Sequence, residues 1–441
     1  MTYKLILIFM YSWLLTPFNC DYVDEIGEYN YSPENEWPEY KKFGQISGVA
    51  VDVMDNVYVF HRGDRVWDHL TFSELNMFRN IAGGPISEDT IVSLNAVSGA
   101  LLTKTGSHLF YMPHGLTVDH ENNIWVTDVA LHQVFKFSPL ITLKGETNSK
   151  LGKPLLSLGI AFKPGCGDNQ FCKPTDVAVD KSNNDFFVSD GYCNSRIIKY
   201  NQNGQKLFEI GRTAIGNPQN DLYMLNVPHA VTIAEKENVL YVADRENFRV
   251  ISYDSKNGRS KNVFAAELKR QVFSVAVSNI RNANDILFVL TNSSTYPKVV
   301  STYDTVTRMD LHLFAPSNLR NPHDLAVTRS GLFCFIVELN PCKIWKFKLE
   351  MVRNQKGELT STTIKAVGKM DSANNEVIKT LQSEGDSTLL TIGLVVFFVV
   401  ISFILFLYHY MKRRGYRRDE LRRLILDGDD EDPSTGEIRL N

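Results

Sequence analysis

Three histidines are the residues of this chain best placed to do chemistry. His114 lies in MPHGL, His229 in VPHAV and His323 in NPHDL. Each follows a proline and stands two residues ahead of a short apolar run. Neutral imidazoles that converge suit Zn²⁺, and three protein ligands leave a fourth position open, as in catalytic rather than structural sites. One Pro-His pair alone would be an ordinary turn or channel residue. What singles these out is their shared place in a recurring unit.

That unit is a β-hairpin with a third strand. First strands recur at Val49-Ala50-Val51, Leu116-Thr117-Val118, Val177-Ala178-Val179, Val231-Thr232-Ile233, Val275-Ala276-Val277 and Leu325-Ala326-Val327, with starts 67, 61, 54, 44 and 50 residues apart. Second strands follow, such as NIWVTD, DFFVSD and VLYVAD, then third strands such as RIIKY and RVISY. Asn, Asp and Gly fill the turns. Six all-β copies at this period predict a six-bladed β-propeller whose first strands line a central channel. A lone blade cannot bury both faces, so the ring must close. The histidines fall in units two, four and six; units one, three and five carry Ser47, Thr175 and Phe273 at that position. Alternate blades therefore bring three imidazoles to one channel mouth with near-threefold symmetry.

Strand direction brings the loop between second and third strands to the same mouth. Those loops hold Arg62 (HRGDRVW), Tyr192 (SDGYCNSR) and Arg245 (ADRENFR). Two guanidiniums and a phenol over a metal would bind an anion and move a proton. The plainer reading is loop ion pairs of Arg62 and Arg245 with Asp64, Asp244 or Glu246. Cys172 and Cys193 both belong on this face, and a bridge between them would pin Tyr192; Cys166 is the competing partner. Cys334 and Cys342 flank a hairpin in unit six and form a second candidate pair. Cys20 leaves with the segment described next.

The chain has 441 residues, is 44% hydrophobic and 22% charged, and carries a net charge of −3. That excludes a disordered, collagen-like or cysteine-dense chain and gives no support to nucleic-acid binding. Residues 4–15 are apolar but too short to span a bilayer, as in a signal peptide. Residues 388–408 carry no charge and are followed by Lys412, Arg413, Arg414, Arg417 and Arg418, which predicts a single transmembrane helix with a cytoplasmic C-terminus. The expected order is signal peptide 1–20, N-terminal segment 21–42, propeller 43–350, polar stalk 351–387, membrane helix 388–410 and cytoplasmic tail 411–441. This is a type I membrane protein of the secretory pathway, in secretory granules or at the cell surface. Its propeller faces an oxidising lumen that permits disulfides. Asn30 (NYS) and Asn292 (NSS) are glycosylation acceptors there.

The pattern [IV]-A-V-D…[YF]-V-[AS]-D…R-[IV] resembles NHL-repeat propellers. The segments SGVAVD, FHRGDRVW, MPHGLTVD, FCKPTDVAVD, FVSDGYCNSRI, VPHA, VADREN and NPHDLAV, across about residues 43–350, resemble the peptidyl-α-hydroxyglycine α-amidating lyases. The resemblance implies zinc on His114, His229 and His323, and active-site roles for Arg62, Tyr192 and Arg245. It implies a structural calcium on the backbone carbonyls of Val49 and Leu116 and the carboxylate of Asp324, and a Cys172–Cys193 disulfide. A second family disulfide would need cysteines where this chain has Tyr241 and Ser252. The implied reaction cleaves the N–C bond of a C-terminal peptidyl-α-hydroxyglycine to peptide amide and glyoxylate, the second step of C-terminal amidation in hormone and neuropeptide maturation. With about two dozen mature residues ahead of the first blade, a separate copper monooxygenase is expected to supply the substrate. Two other classes compete: a non-catalytic propeller ectodomain that binds a protein partner, and a calcium-dependent propeller hydrolase centred on carboxylate and amide ligands.

Overall fold

Strands form where β-branched and aromatic residues meet turn signals. The computed structural model describes residues 29–140, 147–213, 221–265, 268–278, 285–295, 299–314 and 319–351. The second strand of each unit is buried along nearly its whole length, as in IWVTD and VLYVAD. That is why these strands read as continuous apolar runs rather than alternating ones. The Asp that ends each early first strand closes the hairpin turn. Asp52 accepts the amides of Met54 and Asn56 at 2.8 Å each, and Asp119 those of Glu121 and Asn123 at 2.9 Å each. Asp55 and Asn122 in these turns hold φ of 62° and 63°, a conformation that Asp and Asn tolerate best after glycine.

Six four-stranded antiparallel sheets result. Their inner hairpins are β2 (Ile46–Val51) and β3 (Val57–His61), β6 (Pro113–Val118) and β7 (Ile124–Asp128), β10 (Asp176–Val179) and β11 (Phe186–Asp190), β16 (Pro228–Ala234) and β17 (Val239–Asp244), β20 (Gln271–Ser278) and β21 (Ile286–Asn292), and β24 (Pro322–Val327) and β25 (Phe333–Glu338). The first strand of each pair packs beside that of the next blade, and β24 packs back on β2, so the ring is closed. Six apolar clusters fill the blade interfaces. Ile46, Val59, Phe335 and Val337, for example, join blade six to blade one.

Closure uses a strand outside the repeats. β1 (Tyr29–Pro33) pairs antiparallel with β26 (Lys343–Met351), with Tyr31 opposite Leu349, and forms the outer edge of blade six. The propeller thus begins ahead of the expected boundary at residue 43, because a strand before the first repeat shares one sheet with the last strand of blade six. Tyr31 is buried, stacks on Phe314 at 4.8 Å and donates to the Gly331 carbonyl at 2.5 Å. The proposed signal peptide, stalk, membrane helix and tail lie outside the described residues. Among those described, no helix is long and apolar enough to cross a membrane.

Two expectations fail. Cys334 and Cys342 are both free: Cys334 pairs with Phe347 far down the hairpin, whereas Cys342 sits beyond the closing Glu338–Lys343 pair. Four strand residues separate the two levels, roughly 13 Å, well beyond disulfide reach. Asn292 is not presented for glycosylation. It is buried, and its amide donates to Asn321 Oδ1 at 3.1 Å and the Pro322 carbonyl at 3.3 Å. Asn30 lies within β1.

If β1 closes the ring, Tyr31→Ala should lower the unfolding free energy by about 3 kcal/mol in urea, the usual loss for a buried aromatic. An unchanged unfolding midpoint would detach this strand from the ring.

Candidate metal centre and active site

In blades two, four and six the chain leading into the first strand is tied to the end of the second strand of its own blade. In blade two, Asp128 Oδ2 accepts the amides of Tyr111 at 2.6 Å and Met112 at 3.0 Å. Its Oδ1 accepts those of Ala130 and Leu131. In blade four, Asp244 takes the Asn226 amide at 2.7 Å; in blade six, Glu338 takes those of Arg320 and Asn321 at 2.5 and 2.8 Å. The segments that carry His114, His229 and His323 are thereby held at one height.

The three imidazoles do converge. Their ring centroids are 4.8 to 5.0 Å apart in a near-equilateral triangle, and all three side chains are buried. Each Nδ1–H donates to a backbone carbonyl of the next blade: His114 to Thr175 at 2.9 Å, His229 to Phe273 at 2.6 Å and His323 to Ser47 at 2.7 Å. A carbonyl can only accept, so the Nδ1 protons are fixed and the three Nε2 lone pairs face inward. The odd-numbered blades thus lack a histidine at this position but supply the oxygen that orients one. Gly115 allows the approach, since a Cβ there would lie 2.2 Å from the Thr175 carbonyl. Burial first, then neighbouring histidine and arginine charge, lowers His114 and His229 well below their ordinary values. Burial and the two arginines bring His323 to about 3. The rings are neutral at physiological pH, the form that ligates a metal. One ring nitrogen from each lies within 4.8 Å of the others, so the donor set and its geometry fit a divalent metal such as zinc.

Above this triangle stand the three loop residues. Tyr192 Oη lies 3.0 Å from His114 Nε2 and 3.4 Å from His229 Nε2, and Arg245 Nη1 donates to it at 3.4 Å. Its loop is held by the Cys172–Cys193 disulfide, with Cα atoms 5.4 Å apart, while Cys166 is free and exposed. Arg62 is buried. It donates through Nε to the Pro113 carbonyl at 3.0 Å and through Nη1 to Gln45 Oε1 at 2.9 Å. Its Nη2 is buried with no partner among the described residues. Burial lowers Arg62 to about 10, partly offset by Tyr192 and Asp128, so it stays charged at neutral pH. Among the described residues Arg62 makes no ion pair, and Asp64 meets Arg65 instead; Arg245 does pair, with Glu246 at 2.8 Å.

On the other side of the triangle the channel continues past Asp176 and Asp324. Val49, Leu116 and Asp324 line one cavity, and Asp324 accepts the Val49 amide at 2.9 Å and the Ser274 hydroxyl at 2.6 Å. Burial raises Asp324 to about 7 and Asp176 well above the carboxylate range. Sequence reasoning passed over Asp176, although it occupies the position of Asp324 three blades away. It also passed over Gln45 and Trp67. Gln45 Oε1 accepts from both Arg62 and the Trp67 amide, and the Trp67 ring packs 4.9 Å from Tyr192. Trp67 lies in the loop of residues 62–90, far longer than its counterpart at 129–132 in blade two. At 241 and 252, Tyr241 and Ser252 face each other in register, and Tyr241 packs on Phe264 at 5.0 Å.

A closed six-bladed propeller brings three imidazoles together at its mouth, a donor set of the kind that can hold a divalent metal. The NHL repeat pattern matches residues 110–137 and 171–200, which fall in blades two and three. The chain is 40% identical over 334 residues to peptidyl-alpha-hydroxyglycine alpha-amidating lyase 1 of Drosophila melanogaster, covering 72% of this chain and 59% of that one. It is 39% identical over 326 residues to lyase 2 of the same species, covering 71% of this chain and 74% of that one. It is 36% identical over 323 residues to peptidyl-glycine alpha-amidating monooxygenase B of Xenopus laevis, covering 71% of this chain but 35% of that protein. The chain belongs to the peptidyl-α-hydroxyglycine α-amidating lyase family.

Thiol chemistry tests this geometry. Non-reducing peptide mapping should return Cys172 joined to Cys193, with Cys166 and Cys342 alkylated in the native protein and Cys334 only after unfolding. A Cys166–Cys193 bridge would refute the loop arrangement around Tyr192.

Proposed function

We propose that this protein is a zinc-dependent lyase that cleaves the N–C bond of C-terminal peptidyl-α-hydroxyglycine, releasing peptide amide and glyoxylate. The observation that carries the reading is the set of inward-facing Nε2 atoms of His114, His229 and His323, with Tyr192 Oη 3.0 Å from the first of them. Zinc held there supplies Lewis-acid polarisation of a substrate oxygen. The rest of the work falls to the chain itself. The Nη2 of Arg62 has no partner among the described residues, and a guanidinium is suited to bind a carboxylate. Gln45 and the Pro113 carbonyl fix the guanidinium plane, so little ordering is left for the substrate to impose. Arg245 sits over the Tyr192 ring at 5.1 Å and keeps positive charge beside its oxygen.

From that position Tyr192, acting as the phenolate, takes the proton of the substrate hydroxyl. The O–H pair becomes the second C–O bond of glyoxylate, the C–N bond breaks, and its electron pair goes to the departing amide nitrogen. Tyr192 then returns the proton to that nitrogen. No water is consumed and nothing is oxidised, so the reaction is an elimination.

The remaining features form one picture with this activity. Asp324, with the carbonyls of Val49 and Leu116, offers oxygen ligands to a structural calcium in the channel. A disulfide at Cys172–Cys193 suits a luminal or extracellular compartment. The charge-free run at 388–408 with its basic flank anchors the chain as a type I membrane protein. A copper monooxygenase supplies the hydroxylated peptide.

Incubated with N-benzoyl-α-hydroxyglycine, the purified protein should release benzamide and glyoxylate in equal amounts. Tyr192→Phe should cut kcat by about a hundredfold or more with KM changed little, because the hydroxyl acts in proton transfer while the ring keeps its packing. No glyoxylate from the wild-type protein would end the lyase reading. A Tyr192→Phe variant with wild-type turnover would end the assignment of the proton to that oxygen.

A further inference from the structure

Lys173 stands between the bridged Cys172 and Pro174, where the chain enters blade three. Its φ is +59°, a left-handed conformation for a residue that carries a Cβ and precedes a proline. Such positions are strained and cluster at functional sites. The strain is held in place: the Lys173 amide donates to Nδ1 of the fully buried His132 at 3.0 Å. The half-buried side chain reaches back to the mouth, its Nζ 4.7 Å from the Phe72 ring and 5.9 Å from the Tyr192 ring. Phe72 belongs to the long blade-one loop that also carries Trp67, and Trp67 bridges Phe72 and Tyr192 at 5.2 and 4.9 Å.

Two cations therefore flank Tyr192, and they differ. Arg245 is neutralised by Glu246. Lys173 meets no carboxylate among the described residues, and burial alone lowers it from its ordinary value. Its aromatic neighbours keep the ammonium in place without offering it a counter-charge. An ammonium partly stripped of water and left without an acceptor is costly in the free protein, and a substrate atom can supply the acceptor.

We propose that Lys173 is a further catalytic residue, whose ammonium binds the acyl oxygen of the departing amide; this rests on the lyase reading above. When the C–N bond breaks, its electron pair passes to nitrogen and by amide resonance onto the acyl oxygen. The hydroxyl O–H pair meanwhile forms the second C–O bond of glyoxylate, and its proton travels through Tyr192 to the nitrogen. Negative charge thus grows at the acyl oxygen only as the bond breaks. A fixed cation there acts on the transition state more than on the bound substrate. Arg62 serves the carboxylate at the opposite end of the reacting carbon, so the two cations do separate tasks.

The test uses the whole protein and a series of N-benzoyl-α-hydroxyglycines with para substituents from methoxy to nitro, in single turnovers with saturating enzyme. Lys173→Met should slow C–N cleavage of the unsubstituted compound by about a hundredfold, as for loss of one oxyanion donor. The loss should shrink toward the nitro compound, whose ring already stabilises the leaving amidate, so that the rate depends more steeply on the substituent. Lys173→Arg should recover most of the rate, and the unfolding midpoint of Lys173→Met should match the wild type. A loss equal across the series, or no loss at all, would overturn the assignment while leaving the lyase reading intact. A wild-type protein that releases no glyoxylate would overturn both.

Discussion

A buried carboxylate at the end of a strand, taking the amides of the chain that leads into the neighbouring strand, is the contact on which this site depends. Asp128, Asp190, Asp244 and Glu338 occupy that place in blades two, three, four and six. Blade one uses His61, whose Nδ1 accepts the Gly44 amide at 3.3 Å. Asp190 and Asp244 are in turn balanced by Arg196 at 3.0 Å and Arg249 at 2.7 Å, from the third strand of the same blade. Losing such an acceptor leaves buried amides unpaired, at about 1–3 kcal/mol each. In these five blades the clamp sets where the first strand begins, and with it the height of the three histidines.

From that constraint the metal-type centre follows. Equal heights let the carbonyls of Ser47, Thr175 and Phe273 reach the Nδ1 atoms of the histidines one blade back. The rings of His114 and His323 are then oriented by backbone of clamped blades. Tyr192 arrives by a second route. Gly191 lets its loop pass the Pro228 carbonyl, where a Cβ would come within 2.1 Å, and the cystine ties the loop to the entry of blade three. Rigid strands carry the three histidines and a stapled loop carries Tyr192, an arrangement that holds all four side chains to small tolerances.

The propeller and the histidine phase were legible because both rest on periodicity, and every blade repeats the same burial demand. Arg62, Tyr192 and Arg245 were legible through strand direction alone. β1 was not, since five residues that pair with the last strand of the propeller repeat nothing. The Cys334–Cys342 pairing looked reasonable by proximity in sequence, but hairpin register separates the two. Asn292 satisfied its sequon while its amide was needed inside the fold by Asn321 and Pro322. The Asp of the Y-V-A-D pattern was visible as a repeat mark, yet its task as an amide acceptor depends on contacts across the hairpin. Gln45 and Lys173 act through single contacts at one blade each, so no repeat announces them.

The central claim is that the three histidines form one working metal site. Its most direct test is a titration of metal-stripped protein with zinc while glyoxylate release is followed. The account predicts almost no release at the start, a linear rise, and a break at about one zinc per chain. Full release from the stripped protein, or a rise that His323→Ala reproduces unchanged, would contradict it.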